Sequence, residues 1–413
     1  MNDSSCRSEF DTEALSVEQA RERILDSLHP VPGEQRLALR EALGRVLAAD
    51  VHARIDVPPQ INSAMDGYAL RHEDLAAATG LRIIGTSWAG KPCPKSVSAG
   101  EAVRIMTGAV VPEGADTVVM QEEAEVDGRT VRVRATPVKG EFVRRPGDDV
   151  ARGAVVLRAG KRLGAAEIGL LASQGYVEAR VRRRVRAAFF STGDELVGVG
   201  KTLASGQIYD SNRYTLYGLL HEQGVETIDL GVVEDNREAL SAAFTQASND
   251  TDVIITTGGV SVGDADFVKS VLREQGSVNF WKIAMRPGRP LTFGRVGDSC
   301  FFGLPGNPVS VAVTFAQLVA PALAKLSGTR IGEALRLQVP TLSRLTKAPG
   351  RRDFQRGILL ERDGIMAVQT TGMQGSHVLS GMSDANCYIV LPEQCSEVNP
   401  GDIVDVLPFS ATY

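Results

Sequence analysis

From residue 184 onward the chain alternates short apolar runs with amphipathic stretches, and that alternation narrows its fold more than any other feature. Apolar runs at 185–190, 225–230, 253–257 and 300–304 are each followed by helical periodicity, at 211–223, 237–247, 267–275 and from Pro308 onward. A further strand is expected at 278–283. Short buried strands joined by helices require βαβ crossovers and a largely parallel sheet. Ligands of such sheets bind beyond the carboxyl ends of the strands. The loops that follow the apolar runs are therefore the first place to look for chemistry.

Three of those loops are unusual. Thr256-Thr-Gly-Gly-Val-Ser-Val-Gly-Asp-Ala-Asp266 follows the 253–257 run. Gly258, Gly259 and Gly263 let the backbone approach a ligand closely, and successive N–H groups can cradle a phosphate. Thr257 and Ser261 add hydroxyls. Asp264 and Asp266 would repel a bare phosphate, so the acidic tip calls for a hard divalent cation such as magnesium. A plain strand-to-helix turn with an aspartate N-cap is the competing reading. Leu304-Pro-Gly-Asn-Pro-Val-Ser310 places Pro305, Gly306 and Asn307 before a helix start with Pro308 in its first turn, exposing a partial positive charge. Ser191-Thr-Gly-Asp-Glu-Leu196 puts Asp194 and Glu195 at the same edge, and Asp235 follows a fourth apolar run. A basic segment, Trp281-Lys-Ile-Ala-Met-Arg-Pro-Gly-Arg289, offers Lys282, Arg286 and Arg289 to an oxyanion.

The rest of the chain reads differently. Residues 16–49 show helical patterning broken at 29–33, with Ser16 and Gln19 spaced as a capping box. Short β-type runs with Gly and Pro punctuation fill 64–149, and β-type runs return from 335 to the end. The division expected is a discontinuous linker domain (14–56 and 150–181), a β-rich domain (57–149), an α/β domain (182–330) and a C-terminal β domain (331–413). At 413 residues, 43% hydrophobic and 23% charged, the chain can bury several cores. A net charge of −5 argues against a dedicated nucleic-acid binder. One basic run, Arg180-Val-Arg-Arg-Arg-Val-Arg186, reads as a strand edge with solvated arginines. Five scattered cysteines without C-x-x-C spacing fit a reducing compartment. No secretory signal is read at the N-terminus and no apolar run is judged long enough for a membrane span, so no membrane is expected and the cytoplasm is the default.

Seven segments, in order over about residues 15–410, resemble the molybdopterin molybdenumtransferase family, which includes the E domain of gephyrin. They are Asn62-Ser-Ala-Met-Asp-Gly-Tyr-Ala69, Arg104-Ile-Met-Thr-Gly-Ala109, Ser191-Thr-Gly-Asp-Glu-Leu196, Thr257-Gly-Gly-Val-Ser-Val-Gly263, Leu304-Pro-Gly-Asn-Pro-Val-Ser310, Asp353-Phe-Gln-Arg356 and Gln374-Gly-Ser-His377. The resemblance implies a multidomain α/β plus β protein. Its central domain would be of the molybdopterin-binding type, between a β-rich N-terminal module and a small C-terminal β-barrel-like domain. It implies a homodimer that takes molybdate and the adenylylated molybdopterin made by an upstream adenylyltransferase, and that uses magnesium and releases AMP. Carried over by position, the catalytic residues would be Asp66, Thr107, Asp149, Glu195, Asp235, Asp266, Lys282 and Arg286. Arg356 and Ser376 would hold oxyanions, Glu195, Asp235 and Asp266 would meet metal, and Asp66 and Thr107 would act on the partner subunit's α/β domain. An adenylyltransferase, a nucleotide pyrophosphatase and a receptor scaffold are the alternatives.

Overall fold

The computed structural model describes residues 14–77, 80–134, 136–258, 267–330, 332 and 334–409. Its centre is a six-stranded sheet in the spatial order Glu226–Val233, Arg186–Thr192, Val253–Thr257, Ser299–Leu304, Pro290–Val296, Gly276–Lys282. The first four strands are parallel, as the apolar runs require. The last two are antiparallel, with Pro290–Val296 pairing both its neighbours. The sheet is thus largely parallel, as expected, and carries this antiparallel hairpin at one edge because the 290–296 run lies too close to the strand after it for a crossover helix.

Helices cover both faces. Ser211–Glu222 and the long helix Pro308–Ser327 lie with Ala187, Phe189, Ile255 and Phe302 in one core, and Arg237–Asp250 and Phe267–Gln275 with Ala188, Phe190, Ile254 and Phe301 in the other. Alternation of the inward residues along each buried strand divides them between the two layers. Phe244 meets Phe190 and Phe301 edge-on, with ring centroids at 5.4 and 5.6 Å. The Pro308–Ser327 helix corrects one expectation. By length and composition it could cross a membrane, with a mean hydropathy of 1.6, but 89% of its apolar window is buried in the protein. A helix apolar all round is what a core between a sheet and neighbouring helices selects.

The first helix, Val17–Asp26, starts with the expected box: Gln19 N–H donates to Ser16 Oγ and Ser16 N–H to Gln19 Oε1. The continuation departs from expectation. Glu34–Ala38 is a strand paired antiparallel with Glu178–Arg182, and residues 39–49 are turns and bridges. Only Leu37, Leu39, Ala42 and Leu47 turn into the small core there, so their helix-like spacing is produced by turns. A second pairing, Val51–His52 with Val155–Leu157, ties the same two stretches of chain together. Between them a six-stranded sheet contains Gly67–Leu70, Leu81–Ser87, Glu101–Ile105, Thr117–Met120, Ala124–Asp127 and Thr130–Val133. The C-terminal sheet is built on an eleven-residue strand, Arg352–Arg362, unforeseen in the sequence because its charged ends mask the buried centre Asp353–Gly357.

The basic run is largely solvated, as expected, with Arg180, Arg184 and Arg186 exposed, but three of its arginines are ion-paired. Arg183 holds Asp252 with two 2.7 Å bonds, Arg180 pairs with Glu34, and Arg186 with Glu226 at 3.5 Å.

Phe244→Ala removes the aromatic that joins two strands of the second core. We expect a loss of about 3–5 kcal/mol, read as a lower chemical-denaturation midpoint with unchanged slope.

Candidate active site

The parallel strands end level with one another. Thr192 stands beside Val233, and Thr257 beside both Ser191 and Leu304. Gly258 then turns with φ +84°, and a Cβ there would come 2.3 Å from the Thr192 carbonyl oxygen. Its N–H donates to Leu304 O at 3.3 Å, and a Cβ on Gly306 would reach only 4.0 Å from its Cα. The two glycine loops therefore meet backbone to backbone. Gly259, Ser261, Gly263, Asp264 and Asp266 lie outside the described residues.

Hydroxyls and amides line this edge. Ser191 Oγ and Thr257 Oγ1 are 2.9 Å apart, and Ser191 Oγ donates to Asp210 Oδ1 at 3.0 Å. Asp210, 1% exposed, caps the Ser211–Glu222 helix and pairs with Arg213. Asn212 Nδ2 donates to Gly306 O at 2.7 Å and so holds the Pro305–Asn307 loop. Thr192 Oγ1, Thr256 Oγ1, Asn212 Oδ1 and Asp235 Oδ1 are buried without a partner. Asp210 and Asn212 were not singled out in the sequence, although Asp210-Ser-Asn before a helical run is an N-cap signature. Pro305 is buried, while Gly306 and Asn307 are exposed. Asn307 occupies the N-cap of the long helix, but its side chain makes no capping bond.

Acids gather at the neighbouring strand end. Burial, and then the charges of Asp194 and Glu195, raise Asp235 above the usual carboxylate range. Gly193 makes room for Glu195, since a Cβ there would lie 2.6 Å from its carboxylate. Among the described residues no three acids, histidines or cysteines converge as a ready metal cage. The donor set still fits magnesium, a hard ion that keeps several waters and takes only one or two carboxylates. A half-buried carboxylate oxygen with no partner, facing like charge, is where a cation would relieve the most strain.

The C-terminal domain is tied into the same edge. Val309 N–H, in the first turn of the long helix, donates to Ser376 O at 3.1 Å. Met285–Arg286 pairs in parallel with Arg352 and Asp353, so the basic segment is carried into the C-terminal sheet. Arg286 lines a cavity of about 240 Å³ with Arg344, Asp353, Gln355 and Gln374. Burial raises Asp353, against the lowering influence of Gln355, Arg286, Lys347 and Arg356. Lys282 is exposed at the end of Gly276–Lys282. Arg356 departs from the role expected of it. It is fully buried, and its guanidinium donates to the carbonyls of Met373, Gln374 and Gly375 at 2.9–3.1 Å. Arg356 thus positions the loop that carries Ser376.

Asp66 and Thr107 form a unit of their own. Asp66 Oδ1 accepts from the Thr107 N–H and hydroxyl, both at 2.7 Å, and these bonds, backbone first, hold it below the usual carboxylate range. Their hydrogen bonds stay within the N-terminal module among the described residues. Of the neighbouring acids, Asp148 closes a turn by accepting from Arg145 N–H at 2.6 Å. The Asp149 side chain is exposed and makes no such bond, its N–H donating to Val57 O.

A mostly parallel α/β sheet with glycine loops and acids at its carboxyl edge, and a basic segment beside it, defines a protein of the α/β class with a polar site at the strand ends. Comparison with known proteins is more specific. The MoeA N-terminal region (domain I and II) matches residues 15–175, the probable molybdopterin binding domain 188–325, and the MoeA C-terminal region (domain IV) 338–409. The molybdopterin molybdenumtransferase of Haemophilus influenzae is 45% identical over 401 residues, covering 96% of this chain and 99% of its own. That of a Nostoc species is 39% identical over 379 residues, covering 89% and 86%. The crystal structure of the molybdopterin biosynthesis moeA protein from Pyrococcus horikoshii OT3 superposes with a TM-score of 0.82 at 28% identity, over 96% of this chain and all of that one. The chain belongs to the molybdopterin molybdenumtransferase family.

Two predictions follow from this geometry. An aspartate whose folded pKa is raised opposes folding above that pKa, and the penalty disappears below the unfolded value near 3.8. Asp235→Asn is therefore expected to raise the melting midpoint at pH 7 in chelator-containing buffer, while the gain fades toward pH 3. Arg356→Lys cannot reproduce the planar fork to three carbonyls, so it is expected to cost about 1–3 kcal/mol and to speed amide exchange at 374–376.

Proposed function

We propose that this protein transfers molybdenum from molybdate to the dithiolene of adenylylated molybdopterin, in a magnesium-dependent reaction that releases AMP. The observation that carries the reading is the junction at the sheet edge. One set of loops brings glycine backbone and a helix N-terminus for phosphates, unpartnered acids for a cation, and arginine and lysine for a tetrahedral oxyanion. Each of these matches one part of that substrate pair.

The residues divide the work by chemistry. Gly258, Gly306 and Asn307 leave space and donors at the mouth of the Pro308–Ser327 helix, where an anion gains from the unsatisfied N–H groups. Thr257 and Ser191 hold the floor of that space rigid through Asp210. Glu195 and Asp235, with Asp266 of the glycine loop, would hold magnesium, which would supply charge neutralisation at the phosphoanhydride. Lys282 and Arg286 provide cationic donors for molybdate, and the Arg356 clamp fixes the Ser376 loop against the helix mouth. Asp66, kept ionised by Thr107, is suited to orient a water or to receive a proton. Its separation from the edge is the reason to assign it, with Asp149, to a site completed across a homodimer. The product of an upstream adenylyltransferase would be the natural substrate, in the cytoplasm.

An assay of AMP release from adenylylated molybdopterin with magnesium tests the reading. Release should require molybdate, and Asp66→Asn should slow it by about 10²-fold without lowering the melting midpoint. AMP release independent of molybdate would instead identify a pyrophosphatase.

A further inference from the structure

The opposite end of the central sheet carries a second concentration of charge that the proposed reaction does not use. Arg45, Arg162, Arg182 and Arg184 line a pocket with Gly224 and Val225, where the linker segments meet the start of the parallel strands. None of the four is paired with a carboxylate among the described residues, whereas neighbouring Arg183 is matched by Asp252 and Arg186 by Glu226. Arg45 is 9% exposed, and its guanidinium donates to Gln35 Oε1 at 2.6 Å and Arg182 O at 2.9 Å. Arg162 donates to Gly44 O at 3.1 Å. Arg182 Nε is buried without a partner. Burial, with Arg184 beside it, lowers Arg45 below the usual arginine range, and burial alone does the same to Arg162.

Helix ends explain part of this. Ser211–Glu222 and Pro308–Ser327 both terminate here, and Arg182 lies across Gly328, the C-cap of the second. Two helix C-termini contribute about one negative charge between them. Four guanidinium groups exceed that even with the charge of Glu226 acting on Arg45, and the excess is costly where Arg45 and Arg182 Nε are buried. The enclosed space, about 20 Å³, admits one small group and opens to solvent on the other side.

We propose that this pocket binds a phosphate group, either free or at the end of a larger anion, and that the bound phosphate bridges the linker segments to the α/β domain. Guanidinium groups present paired donors at the spacing of phosphate oxygens, and several of them favour a doubly charged oxyanion over chloride. Arg45, Arg162 and Arg182 come from the linker segments, Arg182 ending the strand paired with Glu34–Ala38, and Arg184 from the connection into Arg186–Thr192, so one ligand contacts both sides of the junction. The pocket opens to solvent, so the arginines can meet a phosphate at its mouth while any attached group stays outside.

The test is calorimetric titration of the full-length protein with inorganic phosphate and, separately, with glycerol 3-phosphate, at constant ionic strength. Arg184→Gln and the double variant Arg162→Gln/Arg184→Gln should each weaken binding, by about 10-fold per guanidinium. Lys139→Ala, an exposed change in the β-rich domain, should leave it unchanged. Equal affinity for the two probes identifies free phosphate as sufficient, and tighter binding of the ester identifies a terminal phosphate. The proposal is overturned if the wild-type protein binds neither probe, or if Arg184→Gln, an exposed change that leaves the fold intact, binds phosphate as tightly as the wild type.

Discussion

The architecture of the candidate site depends on one close approach. The Thr192 carbonyl, the Gly258 turn and the Gly306 loop share a space in which a single Cβ at Gly258 would fall 2.3 Å from an oxygen. Because Thr192, Thr257 and Leu304 end level, the loops that leave them must diverge from one point. With a positive φ and no side chain, Gly258 allows that convergence. The buried hydroxyls of Ser191 and Thr257 and the cap at Asp210 lock the strand ends beneath it. The polar atoms without partners sit immediately around this rigid floor, so the rigidity and the unsatisfied chemistry are parts of one arrangement.

The C-terminal domain shares the core of the α/β domain through Phe354, Tyr388, Val390 and Leu407, and two backbone contacts fix its register on this edge. The first, Val309 N–H to Ser376 O, takes up one of the donors that a helix N-terminus leaves open. The second, the parallel pairing of Met285–Arg286 with Arg352 and Asp353, draws the basic segment out of the α/β sheet into another sheet. Arg356 supports the first contact by gathering three carbonyls of the loop that bears Ser376. A fully buried arginine is tolerated because its donors are almost all met, and its cost is returned as a fixed loop conformation. Arg286 and the Ser376 loop are thus positioned by backbone bonds between domains, and small displacements of either domain would move them.

The parts of this design that are periodic were legible in the sequence. The strands Thr117–Met120 and Val253–Thr257, the helix Phe267–Gln275 and the Ser16 capping box all follow from local pattern, and they appear where the pattern puts them. Residues 37–47 misled because turns that bury Leu37, Ala42 and Leu47 mimic helical spacing. The strand Arg352–Arg362 hid because its function-bearing centre contains Asp353 and Arg356, which read as surface residues until burial and pairing are known. The apolar character of Pro308–Ser327 was discounted for the opposite reason: its scattered polar residues obscured a helix surrounded by protein on nearly all sides. Motif order located the acids and the glycine loops, but whether Arg356 points at substrate or at backbone is a tertiary fact that no local signal carries.

Charge is distributed along the central sheet in a way that its geometry keeps from cancelling. Asp194, Glu195 and Asp235 collect at the carboxyl ends of the strands, and Arg45, Arg162, Arg182 and Arg184 collect at the start. The seven-residue strand Arg186–Thr192 separates the two groups by roughly 23 Å, at about 3.3 Å per residue. That is more than twice the Debye length of about 8 Å at physiological salt, so neither cluster neutralises the other. Burial and like charge raise Asp235 at one end, and burial lowers Arg45 and Arg162 at the other. The sheet between them is a rigid spacer that holds the two clusters apart.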